Sequence, residues 1–175
     1  MESDEALIRE GQNPDYFFMD FLKDERRPVD KVLAGKTRLV SGCPIVLTLL
    51  TRKYFAGFAG WVMANHISNS CAVGINVYSQ AWDILTRKLN TFGPNILCGD
   101  FSNFDGSLRP EYLKRIGHNI NKWYDDQYSS IRQVLWQNVY ESKHVNSNRK
   151  YAFKQGLPSG HPMTSIINSI YNMSA

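Results

Sequence analysis

Cys98-Gly99-Asp100-Phe101-Ser102-Asn103-Phe104-Asp105-Gly106 is the stretch on which the reading of this chain turns. An apolar run, Ile96-Leu97-Cys98, leads directly into Asp100, and Asp105 follows before Gly106. The pattern predicts a short strand over residues 96–101 that delivers Asp100 to a cleft, and a turn that brings Asp105 back beside it. A carboxylate at a strand end offers hard oxygen donors, which suit Mg2+. Two such ions in one site support phosphoryl transfer. Alone, the aspartate pair is more simply a loop residue and a helix cap.

A second segment changes that balance: Gly156-Leu157-Pro158-Ser159-Gly160-His161-Pro162-Met163-Thr164-Ser165-Ile166-Ile167-Asn168. Gly156, Pro158 and Gly160 punctuate a loop. A helix pattern then begins, with Pro162 tolerated in its first turn. Met163, Ile166, Ile167, Ile170 and Tyr171 recur at helical spacing and mark one apolar face. Thr164, Ser165, Asn168 and Asn172 fall largely on other faces. By itself this is an ordinary capped amphipathic helix. Beside the aspartate pair, it reads as a pliant glycine loop followed by hydroxyl and amide side chains able to hydrogen-bond a sugar hydroxyl.

Together the two segments resemble motifs A and B of the RNA-dependent RNA polymerases of picorna-like positive-strand RNA viruses. Motif A of that family carries two aspartates at this spacing after a short hydrophobic strand, matched by Asp100 and Asp105. Motif B reads Pro-Ser-Gly, then Thr and Asn, matched by Pro158-Ser159-Gly160, Thr164 and Asn168. A third match lies upstream. Leu22-Lys23-Asp24-Glu25-Arg26-Arg27 and Gly35-Lys36-Thr37-Arg38-Leu39 resemble motif F, the basic fingertip segment. Lys23, Arg26, Arg27, Lys31, Lys36 and Arg38 crowd between positions 23 and 38, and arginine forks suit phosphate oxygens. A basic run is more often a solvated surface; its position ahead of motif A favours phosphate binding.

The composition sets bounds. With 175 residues, 43% of them hydrophobic and 21% charged, the chain can bury a sizeable core and is not of the disordered class. A net charge of +4 is compatible with nucleic acid without being diagnostic. Cys43, Cys71 and Cys98 are odd in number and form no C-x-x-C pair, so zinc is not expected and reduced thiols are. Residues 44–64 are largely apolar, but Arg52 and Lys53 interrupt them. Each would cost about 2.5–3.5 kcal/mol at a bilayer centre. A protein-packed helix opened by Pro44 is expected, with no transmembrane segment.

Along the chain, Tyr16-Phe17-Phe18-Met19 suggests a strand or short helix, and Val32-Leu33 and Leu39-Val40 short strands. Helices are expected over residues 44–65, 77–90, from Pro110 with Leu113, Ile116, Ile120 and Trp123 buried, and over 127–138. Residues 139–145 and 149–153 read as a hairpin around Asn146-Ser147-Asn148. The expected class is α+β. The resemblance implies a right-hand polymerase: fingers plus an incomplete palm with antiparallel sheet and packed helices. It divides the chain into fingers (1–95), palm (96–125), a helix and hairpin returning to the fingers (126–155), and palm again (156–175).

The resemblance implies template-directed ribonucleotidyl transfer with Mg2+, or Mn2+, as cofactor. Asp100 would be the catalytic metal ligand. Asp105, Ser159, Gly160, Thr164 and Asn168 would surround the ribose, and Lys23, Lys31, Lys36 and Arg38 the triphosphate. RNA template and primer, ribonucleoside triphosphates and other viral replication proteins would be partners, in replication complexes of the host cytoplasm. The family's motif C, motif D and thumb are expected beyond residue 175. Asp125-Asp126 precedes motif B in a polar helical setting and is not motif C. This 175-residue chain is therefore expected to be inactive alone. A reverse-transcriptase-type palm is the first alternative, but it typically carries a bulky aromatic where Asp105 stands. A non-catalytic RNA-binding module is the second, and it leaves the Asp100/Asp105 pair and the Ser159-Gly160 loop unexplained.

Overall fold

The structure is a computed structural model and describes residues 1–174. Helices dominate. In α3 (Ile45–Ala64), Leu47, Leu50, Thr51, Tyr54, Phe55, Phe58 and Val62 are buried, the spacing of one helix face. The helix begins after Pro44, whose fixed φ suits a helix start. Among the described residues no helix is long and apolar enough to cross a membrane.

The core is built where α3 meets α6 (Pro110–Tyr124) and α7 (Ser129–Tyr140). Leu113, Ile116 and Ile120 of α6 face inward, as their spacing predicts. Gly117 lies under the Trp136 ring, where a Cβ would sit 2.5 Å from the indole. The Trp136 Nε1–H donates to the Leu113 carbonyl at 2.8 Å, and its ring leans on Phe55. Trp123 differs from expectation: it is 41% exposed and lies edge-on against Phe58 at the rim.

Asp125 closes α6 with a left-handed φ of 46°. Asp126 pairs with the fully buried Arg132, which also donates to Asn121 Oδ1 at 2.7 Å and stacks over the Tyr124 ring. A guanidinium removed from water needs these partners. The Asp125-Asp126 pair thus has a structural employment.

One mixed four-stranded sheet has the order β2-β1-β3-β4, formed by β1 (Phe17–Leu22), β2 (Leu39–Gly42), β3 (Ser142–Asn146) and β4 (Arg149–Phe153). The β1/β2 and β3/β4 pairs are antiparallel; β1 and β3 run parallel. The hairpin therefore lies alongside the N-terminal strand. It is shorter than its apolar pattern suggested, because Val139 and Tyr140 complete α7.

Two local expectations are corrected, and one helix is new. Val32 and Leu33 belong to a short helix, α2 (Val29–Leu33), and not to a strand. An N-terminal helix, α1 (Glu2–Arg9), buries only Glu5 and Ile8, so its apolar signal in sequence is slight. Most consequential, residues 96–101 form no strand. An extended segment gains its ladder hydrogen bonds only from a neighbour, and no sheet strand among the described residues pairs with this one. Leu97 is 99% exposed and Ile96 66%. The remaining helices are α4 (Ala81–Asn90), the single turn α5 (Phe104–Ser107) and α8 (Thr164–Ser174).

Candidate active site

Asp105 stands on α5, a turn entered through Asn103 in the left-handed region at φ 54°. Its main chain is tied to the glycine loop ahead of α8. The Leu157 N–H donates to the Asp105 carbonyl at 2.9 Å, and the Gly156 N–H to the Leu108 carbonyl at 2.9 Å. Gly156 has φ +83°, a conformation L side chains rarely adopt. Buried Ile166 and Ile167 anchor α8 in the core. One position on, Asn168 projects its Nδ2–H to Asp105 Oδ1 at 2.6 Å. Because a carboxylate can only accept, the amide orientation is fixed. Asn168 Oδ1 is then left buried without a hydrogen-bond partner.

Ser159 and Gly160 face another way, onto β2. The Ser41 N–H donates to Ser159 Oγ at 3.1 Å. Gly160 lies so close to the Ser41 carbonyl oxygen that any Cβ would collide with it. Thr164 caps its own loop, its hydroxyl lying 3.0 Å from the Pro158 carbonyl and 2.7 Å from that of His161. His161 is buried and accepts the Met163 N–H on Nδ1 at 3.2 Å; burial pushes its pKa down to about 4. The structure thus joins Asp105 to Asn168, and Ser159 and Gly160 to β2, while Thr164 shapes the loop between.

Asp100 lies in the unpaired segment. As an exposed oxygen donor it suits a divalent cation. Among the described residues, however, no group of three His, Cys, Asp or Glu could hold a metal. Asp100 fits such a site as one ligand of an incomplete set.

The basic segment converges on an acid. Arg38 donates to both oxygens of Glu25, at 2.6 Å through Nε, while Lys23 and Arg27 lie 3.4 and 3.7 Å from the same carboxylate. The Arg38 hydrogen bonds lower the Glu25 pKa to about 2 against the opposing effect of burial, with Lys23 adding to the lowering. The Lys36 carbonyl accepts from Arg27 at 2.8 Å, and Lys31 and Lys36 themselves stay exposed. Arg38 retains 58% side-chain exposure, so its guanidinium is still open to a ligand.

A cavity of about 340 Å³ separates Asp105 and Gly106 from the sheet; Ser41, Pro158, Ser142 and His144 help line it. Its sheet wall carries Ser41, Ser142 and His144, and behind His144 stand Asp20 and Tyr151, a group that sequence reading missed. Asp20, Ser41, Ser142 and His144 are all buried. The available signal was register. In Phe18-Met19-Asp20, alternation places a carboxylate on the same face as a buried phenylalanine.

Comparison with known proteins agrees with this geometry. The profile of the viral RNA-dependent RNA polymerase family matches residues 2–175. The chain is 40% identical over 166 residues to the replicase polyprotein of acute bee paralysis virus (strain Rothamsted), covering 94% of this chain and 9% of that protein. It is 39% identical over 182 residues to the replicase polyprotein of Drosophila C virus (strain EB), covering 96% and 10%. Against the RNA1 polyprotein of cowpea mosaic virus (strain SB) it is 37% identical over 153 residues, covering 86% and 8%. The Sicinivirus 3Dpol RNA-dependent RNA polymerase superposes with a TM-score of 0.81 at 31% identity, over 99% of this chain and 37% of that one. The chain thus spans about a tenth of the curated polyproteins it matches and about a third of the solved polymerase. With the motif order, the fold and the family profile in agreement, this chain belongs to the viral RNA-dependent RNA polymerase family.

Proposed function

We propose that the chain is part of a polymerase that joins ribonucleotides on an RNA template, a primer 3'-hydroxyl attacking the α-phosphate of the incoming triphosphate. The observation that carries this reading is the Asn168–Asp105 hydrogen bond, which leaves Asn168 Oδ1 buried and unpartnered beside it. An orphaned buried acceptor is costly, and a donor hydroxyl on a bound sugar would satisfy it. A site built to bond a hydroxyl rejects substrates that lack it. A bulky aromatic in place of Asp105, as in a reverse transcriptase, would remove this acceptor pair.

In this reading Asp105 and Asn168 orient the ribose, and Ser159 and Gly160 form the loop beside it. Thr164 keeps that loop in shape. Arg38, with Lys23, Lys31 and Lys36, receives the triphosphate. Asp100 would contribute one carboxylate to Mg2+ or Mn2+, which would lower the pKa of the attacking hydroxyl and steady the leaving pyrophosphate. Residues 1–95 with the hairpin would serve as fingers, and the Asp100 and α8 segments as palm. Template, primer and other viral replication proteins would be its partners, in replication complexes of the host cytoplasm.

The test separates the two aspartates in a full-length polymerase carrying this sequence. Asp100→Ala is expected to abolish addition of ribo- and deoxyribonucleotides alike. Asp105→Ala is expected to narrow the gap between the two sugars. Equal loss on both substrates from both changes would show that the roles are not divided this way.

A further inference from the structure

Asp20 is 4% exposed and carries no neighbouring lysine or arginine partner in its hydrogen-bond set. An isolated buried carboxylate is expensive unless donors converge on it. They do: His144 Nδ1 lies 3.0 and 2.9 Å from its two oxygens, the Tyr151 hydroxyl donates to Oδ2, and Ser41 stands directly opposite on the neighbouring strand. Burial pushes the Asp20 carboxyl up, but the polar groups of Ser41, Tyr151 and His144 around it outweigh that and hold the pKa below the usual range. His144 Nε2 lies 2.8 Å from Ser142 Oγ, so both ring nitrogens are engaged.

Sheet register explains why this matters to the site. Asp20 lies directly opposite Ser41 in the β1/β2 pair, and β2 is an edge strand. The Ser41 N–H goes to Ser159, and its carbonyl faces Gly160. Both main-chain groups of Ser41 therefore point outward, which makes Asp20–Ser41 a non-hydrogen-bonded pair. Side chains approach most closely across such pairs. Ser41 thus has two attachments. Its buried side chain stands beside the Asp20 carboxylate across the strand pair, and its backbone holds the loop that carries Ser159 and Gly160.

We propose that Asp20 is a positioning residue for this loop: through Ser41 it sets the placement of Ser159, and with it the preference for ribose over deoxyribose. The proposal rests on the reading of the Asp105–Ser159 region as the sugar site. Placement at this scale is consequential, because a displacement of about 1 Å in a reacting geometry costs about 100-fold in rate. Smaller shifts cost less, and only a shift beside the sugar alters the ratio between sugars.

The experiment measures kcat/KM for a ribonucleotide and its deoxy analogue on one primer-template, with full-length polymerase. Asp20→Asn and Ser41→Ala are each expected to reduce the ribo/deoxy ratio by about tenfold, an effect of sub-ångström size on that scale. Ser41→Ala keeps the backbone N–H and deletes only the link to Asp20, so it carries the test if Asp20→Asn fails to fold. Combining Asp20→Asn with Ser159→Ala is expected to reduce the ratio no further than Ser159→Ala alone, because groups acting in series are not additive. A purely structural role would lower use of both nucleotides alike and leave the ratio intact. That result in both single variants overturns the proposal. Asp105→Ala is measured alongside; an unchanged ratio there overturns the sugar-site reading itself.

Discussion

At the scale of single residues, His161 makes the loop ahead of α8 sensitive to acid. It is buried, with its pKa pushed down to about 4 by loss of water, while an unfolded histidine titrates near 6.5. Above that value both states are neutral and the full stability is present. As pH falls from about 6.5 toward 4, the unfolded chain takes up a proton that the folded one refuses. The loss amounts to about 3 kcal/mol across the window. Urea titrations at stepped pH are expected to show this slope, and His161→Met to flatten it between pH 6.5 and 4. An unchanged slope in the variant would show that His161 is not the group responsible. Residue-level chemistry was unevenly legible in sequence. Asp105 and Asn168 were legible because their spacing is a motif, and they meet at 2.6 Å. Asp20 was not, because its significance depends on which strands flank β1, a non-local fact.

At the scale of elements, the segment between β1 and β2, which contains α2, gathers three of its cations on one carboxylate. Glu25 holds Arg38 by two hydrogen bonds, with Lys23 and Arg27 nearby. A triphosphate offers more acceptors than one carboxylate and could recruit the same guanidinium. Substituting Arg38 by Ala in full-length polymerase is therefore expected to raise the nucleotide KM more than it weakens template RNA binding. Weakened template binding with KM unchanged would assign this segment to the RNA backbone instead. The helices α3, α6 and α8 could be read from sequence because each carries its own apolar stripe, a local property. Strands depended on partners. Leu39–Gly42 pairs with β1 and forms, whereas residues 96–101, with an equally apolar lead-in, find no partner and stay unpaired. The α2 turn was misread because Val32-Leu33 is β-prone in isolation, yet follows Pro28-Val29-Asp30, where Pro28 precedes the first helical residue.

At the scale of the whole molecule, the apolar surface is unevenly closed. The α3–α6–α7 core is sealed, with Leu47, Leu50, Leu113 and Val139 inaccessible. On α4 no residue is buried, and Trp82, Ile84 and Leu89 of that helix are exposed. Phe92 at 83%, Leu97 at 99% and Phe101 at 62% exposure follow between α4 and α5 in the chain. Large apolar side chains left in water in this number suit packing against other protein, and a segment with unpaired backbone groups invites strand pairing. Three measurements follow for the 175-residue chain taken alone. Its sedimentation coefficient is expected to rise with concentration, and the amides of residues 96–101 to exchange at nearly unprotected rates. In full-length polymerase the same amides are expected to be protected, because a paired strand there would satisfy them. Templated primer extension by the isolated chain with Mg2+ or Mn2+ is expected to be absent, since Asp100 offers one carboxylate and Mg2+ bound so sparsely keeps its waters. A concentration-independent monomer with slow exchange at 96–101 would show that this segment is ordered without a partner strand. Extension that disappears in Asp100→Ala would show that these residues assemble a working site by themselves.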